Sequence, residues 1–152
     1  MGDRGWGSYS YVLSAMSYQL IPQGFFRRNS IDGERFSFED LEVWQEAVDF
    51  ADQCLSIVDR IETERRRYRL IEQLESACTS VSLNIAEGKG RQSTKEFIQF
   101  LYIARGSLFE TVTLLEIFRR RSWIADSDFL SIKKSASQLG KRISALINSL
   151  KK

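Results

Sequence analysis

The side chains of this sequence that could do chemistry are carboxylates, arginines and two thiols, because the chain contains no histidine. Histidine is the commonest general base and the commonest metal ligand, and Ser-His and Cys-His nucleophiles depend on it. A di-iron site, which needs Glu-x-x-His on paired helices, is excluded for the same reason. We therefore expect a protein that is not an enzyme and that carries no cofactor.

Three glutamates remain as candidates for an active site: Glu87, Glu96 and Glu110. If they converged, they could hold Mg²⁺ or act as a paired acid and base. Each also has a structural explanation. Glu96 fits a helix-capping box, Glu87 can bond to nearby backbone or to Arg91, and Glu110 can pair across to another helix. The structural explanation is the stronger one, and we predict no metal site.

Arginines supply the one signal for a polyanionic partner. They form two groups, at the start of the second predicted helix and at the end of the third, and we assign them to nucleic-acid binding: Arg65, Arg66, Arg67, Arg69, Arg119, Arg120 and Arg121. In an antiparallel bundle the two groups share one end, where their planar guanidinium groups can bind phosphates of RNA or DNA. The competing interpretation is a solvated end that Glu62, Glu64 and Glu116 partly neutralise.

Composition and charge fit an ordinary globular protein, with 43% hydrophobic residues, 28% charged residues and a net charge of +2. This charge neither demands nor excludes an anionic partner. The N-terminus lacks the features of a signal peptide, and no apolar stretch is long enough to cross a membrane, so we expect a cytoplasmic protein without a membrane partner. We interpret Cys54 and Cys78, both flanked by apolar residues, as buried thiols rather than as a disulfide.

Helices must position these side chains, because from residue 36 onward apolar residues recur every three or four positions. The pattern predicts four helices, over about residues 38–60, 63–88, 93–121 and 126–150. Short connections force antiparallel neighbours, so we expect an all-α, up-down-up-down four-helix bundle over residues 36–152. Residues 1–35, rich in Gly, Ser and Tyr, are expected to form a flexible, poorly structured N-terminal arm.

Capping patterns mark the predicted helix ends. The first helix opens at the capping box Ser37-Phe38-Glu39-Asp40, with Phe36 packed on Leu41. Thr63 caps the second helix and Gly88 ends it. The third helix opens at a second capping box, Ser93-Thr94-Lys95-Glu96.

Each helix has one apolar stripe that we assign to the core. In the first two helices the stripes are, in order, Leu41, Trp44, Val48, Ala51, Cys54 or Leu55, and Val58; and Leu70, Leu74, Ala77, Val81 and Ile85. In the third helix the stripe is Phe97, Leu101, Ala104, Leu108, Leu115 and Phe118, and in the fourth it is Phe129, Ile132, Ala136, Leu139, Ile143, Leu146 and Leu150. The third helix has a second apolar set: Phe100, Ile103, Phe109, Val112 and Leu114. One bundle cannot easily bury both faces of that helix, so we predict a homo-oligomer.

Three ordered motifs resemble those of a known family. They are Phe38-Glu39-Asp40-Leu41-Glu42-Val43-Trp44-Gln45-Glu46-Ala47, Asn84-Ile85-Ala86-Glu87-Gly88 and Lys95-Glu96-Phe97-Ile98-Gln99-Phe100-Leu101-Tyr102-Ile103-Ala104-Arg105-Gly106-Ser107-Leu108. They are similar to motifs of the proteins encoded by intervening sequences in bacterial 23S rRNA genes. This family is also called the S23 ribosomal proteins and is related to the Avd accessory proteins of diversity-generating retroelements. The resemblance covers about residues 36–152.

The resemblance implies a cytoplasmic four-helix bundle that assembles into a ring, typically a pentamer, with no known catalysis and a role with nucleic acid. Within the motifs we expect structural roles, with Gly88 ending a helix and Gly106 permitting close helix packing. The chain departs from many relatives in one place, since Glu75-Ser76 follows Gln73-Leu74 where they carry two arginines. If those arginines help relatives to bind nucleic acid, the group at residues 65–69 has to substitute here.

Two functions are consistent with these observations. The first is a homo-oligomeric, pentameric bundle that binds structured RNA, or a ribonucleoprotein such as a ribosomal partner, through the arginine groups. The alternative is a protein-protein adaptor, such as an accessory subunit of a reverse transcriptase, as Avd proteins are.

Overall fold

The computed structural model describes residues 33–61 and 68–152. These residues form four α-helices and, within the same two ranges, no strand: α1 Glu42–Val58, α2 Tyr68–Lys89, α3 Thr94–Arg120 and α4 Asp126–Leu150. The predicted all-α bundle is therefore confirmed. The predicted arm, residues 1–35, lies almost entirely outside the described residues.

Side-chain contacts between the helices show that neighbouring helices run antiparallel. Gln73, early in α2, donates a hydrogen bond to Glu110, late in α3 (3.0 Å), whereas Gly88 at the end of α2 packs on Phe100 near the start of α3. α3 and α4 are also antiparallel, as the pairs Arg119–Asp126 and Arg105–Ser144 show. The pairs Arg60–Asp128 and Arg142–Glu42 show the same for α1 and α4. Because α1 contacts α2 and α4 but not α3, the four helices stand at the corners of a square.

The core lies between the four helices and, among the residues that the structure describes, is apolar except for Thr111, whose hydroxyl donates to the Ser107 carbonyl at 2.8 Å. The predicted stripe of α3 is buried throughout, as are most of the stripes of α2 and α4. Cys54 and Cys78 are both buried free thiols, as expected. The hydrogen bond with Cys78 and the burial of the side chain both raise the pKa of the Cys54 thiol, so it stays protonated and inert.

The prediction for the start of the first helix was wrong. Residues 37–40 form a turn, and α1 begins only at Glu42. The carboxylate of Glu39 accepts a hydrogen bond from the Phe36 backbone N–H (3.1 Å), and the Phe36 ring stacks on Phe38, with centroids 5.5 Å apart. The Glu39 side chain thus stabilises a turn before the helix, while Leu41 at the N-cap gives no side-chain cap.

The core stripe of α1 is rotated from the prediction in the first half of the helix, whereas Ala51, Cys54 and Val58 are buried as predicted. Val43, Ala47 and Phe50 are buried, whereas Trp44 is half-buried and Val48 is exposed. Apolar residues occupy adjacent positions along this helix, so spacing alone allowed either stripe. Phe50 is the largest of the buried side chains on α1, and its burial sets the orientation of the helix.

Two glycines have roles other than those predicted. α2 continues past Gly88 to Lys89, and a Cβ at Gly88 would lie 2.5 Å from the Cβ of Phe100, so this glycine serves close packing of α2 on α3. Gly106 is exposed, and a Cβ there would have no neighbour within 4 Å. The prediction that Gly106 permits close packing inside the bundle was therefore wrong.

None of the helices in the described ranges is both long enough and apolar enough to cross a membrane.

Candidate nucleic-acid interface

The structure describes four of the seven arginines assigned to nucleic-acid binding. Arg69 lies in the first turn of α2, Arg119 and Arg120 lie in the last turn of α3, and Arg121 is the residue that follows. Because α2 and α3 are antiparallel, these four residues lie at one end of the bundle, which we call the arginine end. Arg65, Arg66 and Arg67 lie outside the described residues, so their assignment stays a prediction.

Two of these arginines share one carboxylate of α3 itself. Arg119 donates two hydrogen bonds to Glu116, from Nε to Oε2 at 2.8 Å and from Nη2 to Oε1 at 2.9 Å. Arg120 donates from Nε to Oε1 of the same carboxylate at 2.7 Å, and Arg119 also reaches Asp126 at 3.2 Å. Glu116 thus partly neutralises Arg119 and Arg120, as the competing interpretation proposes, whereas Glu62 and Glu64 lie outside the described residues.

The electrostatics of this cluster follow from its hydrogen bonds. Those from Arg119 and Arg120 lower the pKa of Glu116 to about 2, so the carboxylate is ionised throughout the neutral range. The same contacts raise the pKa of Arg119 above its usual value. The two guanidinium groups keep their charge but share a fixed anion, which weakens the field they offer to a phosphate.

Arg69 and Arg121 remain available. Both are exposed, and neither forms an ion pair with any carboxylate in the described ranges. The backbone after Arg121 fixes its position, because Ser122 adopts a left-handed conformation (φ 57°) and Trp123 N–H bonds back to the Phe118 carbonyl at 2.9 Å. This is the Schellman arrangement, and the Trp123 ring packs edge-on against Phe118, with centroids 5.1 Å apart.

A second basic surface, on α4, was missed by the sequence analysis. From residue 129 to the end of the sequence there are six basic residues and no Asp or Glu: Lys133, Lys134, Lys141, Arg142, Lys151 and Lys152. All six are exposed, and Arg142 pairs with Glu42 and Glu46 of α1 at 2.9 and 3.0 Å. The signal in the sequence was the absence of acidic residues, because lysines spread along a helix do not form an obvious cluster.

The candidate carboxylates have separate partners. Glu87 pairs with Arg91, Glu96 accepts a hydrogen bond from the Ser93 hydroxyl at 2.7 Å, and Glu110 accepts one from Gln73 at 3.0 Å. The capping box at Ser93 is confirmed, since the Glu96 N–H also donates to the Ser93 hydroxyl at 3.2 Å. Within residues 33–61 and 68–152, no group of three or more Cys, Asp or Glu side chains could hold a metal ion.

The second apolar set on α3 is only partly exposed. Leu114 is buried in the core, Val112 packs against it, and Phe100 is half-buried beneath the Arg91 guanidinium, 4.8 Å from the ring centroid. Ile103 and Phe109 are 51% and 61% exposed, as expected, and Ile117 is 39% exposed. These three residues form an apolar strip on the outside of the helix, which we call the α3 strip. Gly106, which has no side chain, lies between Ile103 and Phe109.

Comparison with known proteins agrees with this fold. The family model described as 23S rRNA-intervening sequence protein matches residues 39–145. A crystal structure from Bacteroides thetaiotaomicron VPI-5482, of a protein of unknown function from the S23 ribosomal protein family, is 26% identical, with a TM-score of 0.65. That comparison covers 69% of this chain and 97% of the other. No curated protein matches the sequence. The matched region covers α1, α2 and α3 in full and most of α4. The chain therefore belongs to the 23S rRNA-intervening sequence protein family.

Proposed function

We propose that this protein is a cytoplasmic, non-catalytic bundle that assembles into a homo-oligomer, a pentamer by family resemblance, and binds structured RNA or a ribonucleoprotein through its basic side chains. The observation that carries the proposal is that Arg69 and Arg121, at the arginine end, are exposed and form no ion pair with a carboxylate of residues 33–61 or 68–152. Exposed guanidinium groups with no ion-pair partner bind phosphate without first breaking a salt bridge.

The family description names no ligand, but it associates these proteins with the intervening sequences of 23S rRNA genes, and on that association we propose RNA as the polyanion. The loss of two basic residues at Glu75 and Ser76 does not remove this basis, because Arg69 lies less than two turns earlier on the same helix. Binding through phosphates is independent of base sequence and weakens as salt rises. We therefore expect recognition of shape and charge rather than of a sequence motif.

The α3 strip supports self-assembly. Ile103, Phe109 and Ile117 expose apolar surface on one helix, and the bare backbone at Gly106 lets another chain approach closely. Burying such a strip against a second copy removes apolar surface from water at about 25 cal/mol per Å². In a homo-oligomer each copy contributes its own arginine end. One RNA can then contact several of these ends at once, which raises its overall affinity although each phosphate contact is weak.

A gel shift with a short structured RNA tests the RNA proposal, at about 50 and about 200 mM salt. The variant Arg69→Gln with Arg121→Gln is expected to weaken binding several-fold at low salt. The matched control, Arg60→Gln with Arg91→Gln, removes the same charge from arginines already paired with Asp128 and Glu87, and is expected to change little. Absent binding, or binding insensitive to salt, would defeat the proposal.

The triple replacement of Arg65, Arg66 and Arg67 with Ala extends the same test beyond the described residues. It is expected to weaken binding about equally for unrelated RNA sequences.

One observation favours the alternative, a protein-protein adaptor such as an accessory subunit of a reverse transcriptase. A groove between α3 and α4 is lined by the apolar side chains of Val112, Ile117, Phe129 and Leu130 and by charged side chains that include Glu116, Arg119 and Lys133, and Leu130 is 62% exposed. A groove with both apolar and charged lining suits an amphipathic helix of a partner protein. The position of the gene discriminates, since a neighbouring reverse-transcriptase gene would favour the adaptor, and a position inside a 23S rRNA gene would favour RNA.

A further inference from the structure

A cationic cluster lies at the opposite end of the bundle from the arginine end. Lys151, directly after α4, donates a hydrogen bond from Nζ to the Tyr102 hydroxyl at 2.9 Å. The guanidinium carbon of Arg105 lies 5.0 Å from the centroid of the Tyr102 ring, and Lys151 Nζ lies 5.5 Å from it. The Tyr102 side chain thus holds two cations from different helices close together.

No carboxylate of the described residues balances the charge of this cluster. Neither Arg105 nor Lys151 forms an ion pair with a carboxylate in the described part of the chain. The hydrogen bond from Lys151 lowers the pKa of Tyr102, which shows that the phenol lies in a positive environment. Two like charges held together repel one another, and a bound anion would relieve that repulsion.

Polar side chains of α4 lie next to this cluster. Arg105 Nη1 donates to the Ser144 hydroxyl at 3.4 Å, and Ser144 lines a shallow groove between α3 and α4. The same groove is lined by Gly140, Lys141 and Asn148, which supply a further cation and an amide donor, and by Phe109 of the α3 strip. An assembly that covers the strip therefore has to leave the Lys141 and Asn148 side of the groove open. Because the donors follow the length of a helix rather than surround one point, they suit a chain of phosphates better than a single small anion.

We propose that Tyr102, Arg105 and Lys151 form a phosphate-binding site whose ligand is the backbone phosphate of a nucleic acid. The proposal rests on the RNA-binding function above and adds a second contact to it. Arg105 and Arg119 are separated by about 21 Å along α3, at 1.5 Å per residue. One folded RNA can therefore span both the cluster and the arginine end.

The test is a filter-binding titration of the full chain with a short RNA hairpin at about 50 and about 200 mM salt. Arg105→Gln and Lys151→Gln are each expected to weaken binding about threefold to tenfold at low salt and to reduce the salt dependence by about one phosphate contact. Tyr102→Phe keeps the ring but removes the hydroxyl that Lys151 contacts, so a smaller loss is expected. Arg91→Gln is the charge-matched control, because Arg91 is already paired with Glu87, and it is expected to stay within about twofold of the wild type.

If the wild type binds RNA but the cluster variants behave like Arg91→Gln, the second contact is overturned while the proposed function stands. If the wild type binds no RNA, the proposed function fails, and the same chain is then titrated with inorganic phosphate. The readout is the NMR signal of the Arg105 side-chain N–H, identified by its loss in Arg105→Lys. A phosphate-dependent shift without RNA binding would overturn nucleic acid as the ligand, and no shift would overturn the phosphate site itself.

Discussion

Glu116 accepts two hydrogen bonds from Arg119, at 2.8 and 2.9 Å, one turn apart on α3. The same carboxylate holds Arg120 at 2.7 Å, so a single anion restrains two of the arginines that the sequence assigns to nucleic acid. Glu116 therefore sets how much positive charge the arginine end offers to a ligand.

Replacing this anion is expected to strengthen RNA binding. Glu116→Gln frees Arg119 and Arg120 for phosphate, and we expect affinity for an RNA hairpin to rise about threefold to tenfold at low salt. Glu110→Gln removes a carboxylate from the same helix that contacts only Gln73 among the hydrogen-bond partners described, and serves as the control. Equal affinities for Glu116→Gln and Glu110→Gln would show that the arginine end does not contact RNA.

The Glu116 cluster also predicts how stability depends on pH. The pKa of Glu116 falls from its ordinary value of 4.5 to about 2 on folding. Because the folded-state pKa is the lower one, the stabilisation is fully present above the unfolded pKa and is lost as pH falls through the folded value. Thermal unfolding of the wild type and of Glu116→Gln should therefore differ at about pH 6 and converge towards about pH 2. A difference in Tm that does not change with pH would contradict this.

Gly88 and Gly106 should respond in opposite ways to alanine. In Gly88→Ala the new Cβ would lie 2.5 Å from the Phe100 Cβ and 2.9 Å from the Phe97 ring, and overpacking of this kind costs about 1–3 kcal/mol. In Gly106→Ala nothing lies within 4 Å, so helix propensity should stabilise the fold by about 1 kcal/mol. Urea unfolding measures both.

The Gly106 variant also tests the α3 strip. If another copy packs on the bare backbone at Gly106, Gly106→Ala should weaken self-association while it stabilises each bundle. An alanine variant that assembles as tightly as the wild type would place the interface elsewhere.

The C-terminal cap of α3 predicts a stabilising substitution. Ser122 has a φ of 57°, which costs a non-glycine residue about 1 kcal/mol, so Ser122→Gly should raise the unfolding free energy by about that amount. Ser137→Gly, in the exposed interior of α4, should instead lower it by about 0.5 kcal/mol. Chemical denaturation of the two variants gives the comparison, and equal changes would show that the Ser122 backbone is unstrained.

The sequence predicted the four helices well because their apolar spacing and the Ser93 cap are local signals. It failed where the outcome depended on a neighbouring helix. Gly88 looks like a helix stop until Phe100 is placed against it, and the apolar residues of α1 allow two stripes until Phe50 is placed in the core. The arginine groups were visible in the sequence, but their neutralisation by Glu116 and the pairing of Lys151 with Tyr102 depend on three-dimensional geometry.

The molecular mass in solution tests most directly whether this bundle works by assembly. Light scattering on the full chain at high concentration should give the mass of several copies, about 88 kDa for five chains of 17.6 kDa. Ile103→Asp, which places a charge in the α3 strip, should shift the mass towards that of one chain while the helix content stays unchanged. A wild-type chain that remains at 17.6 kDa under these conditions would contradict the account.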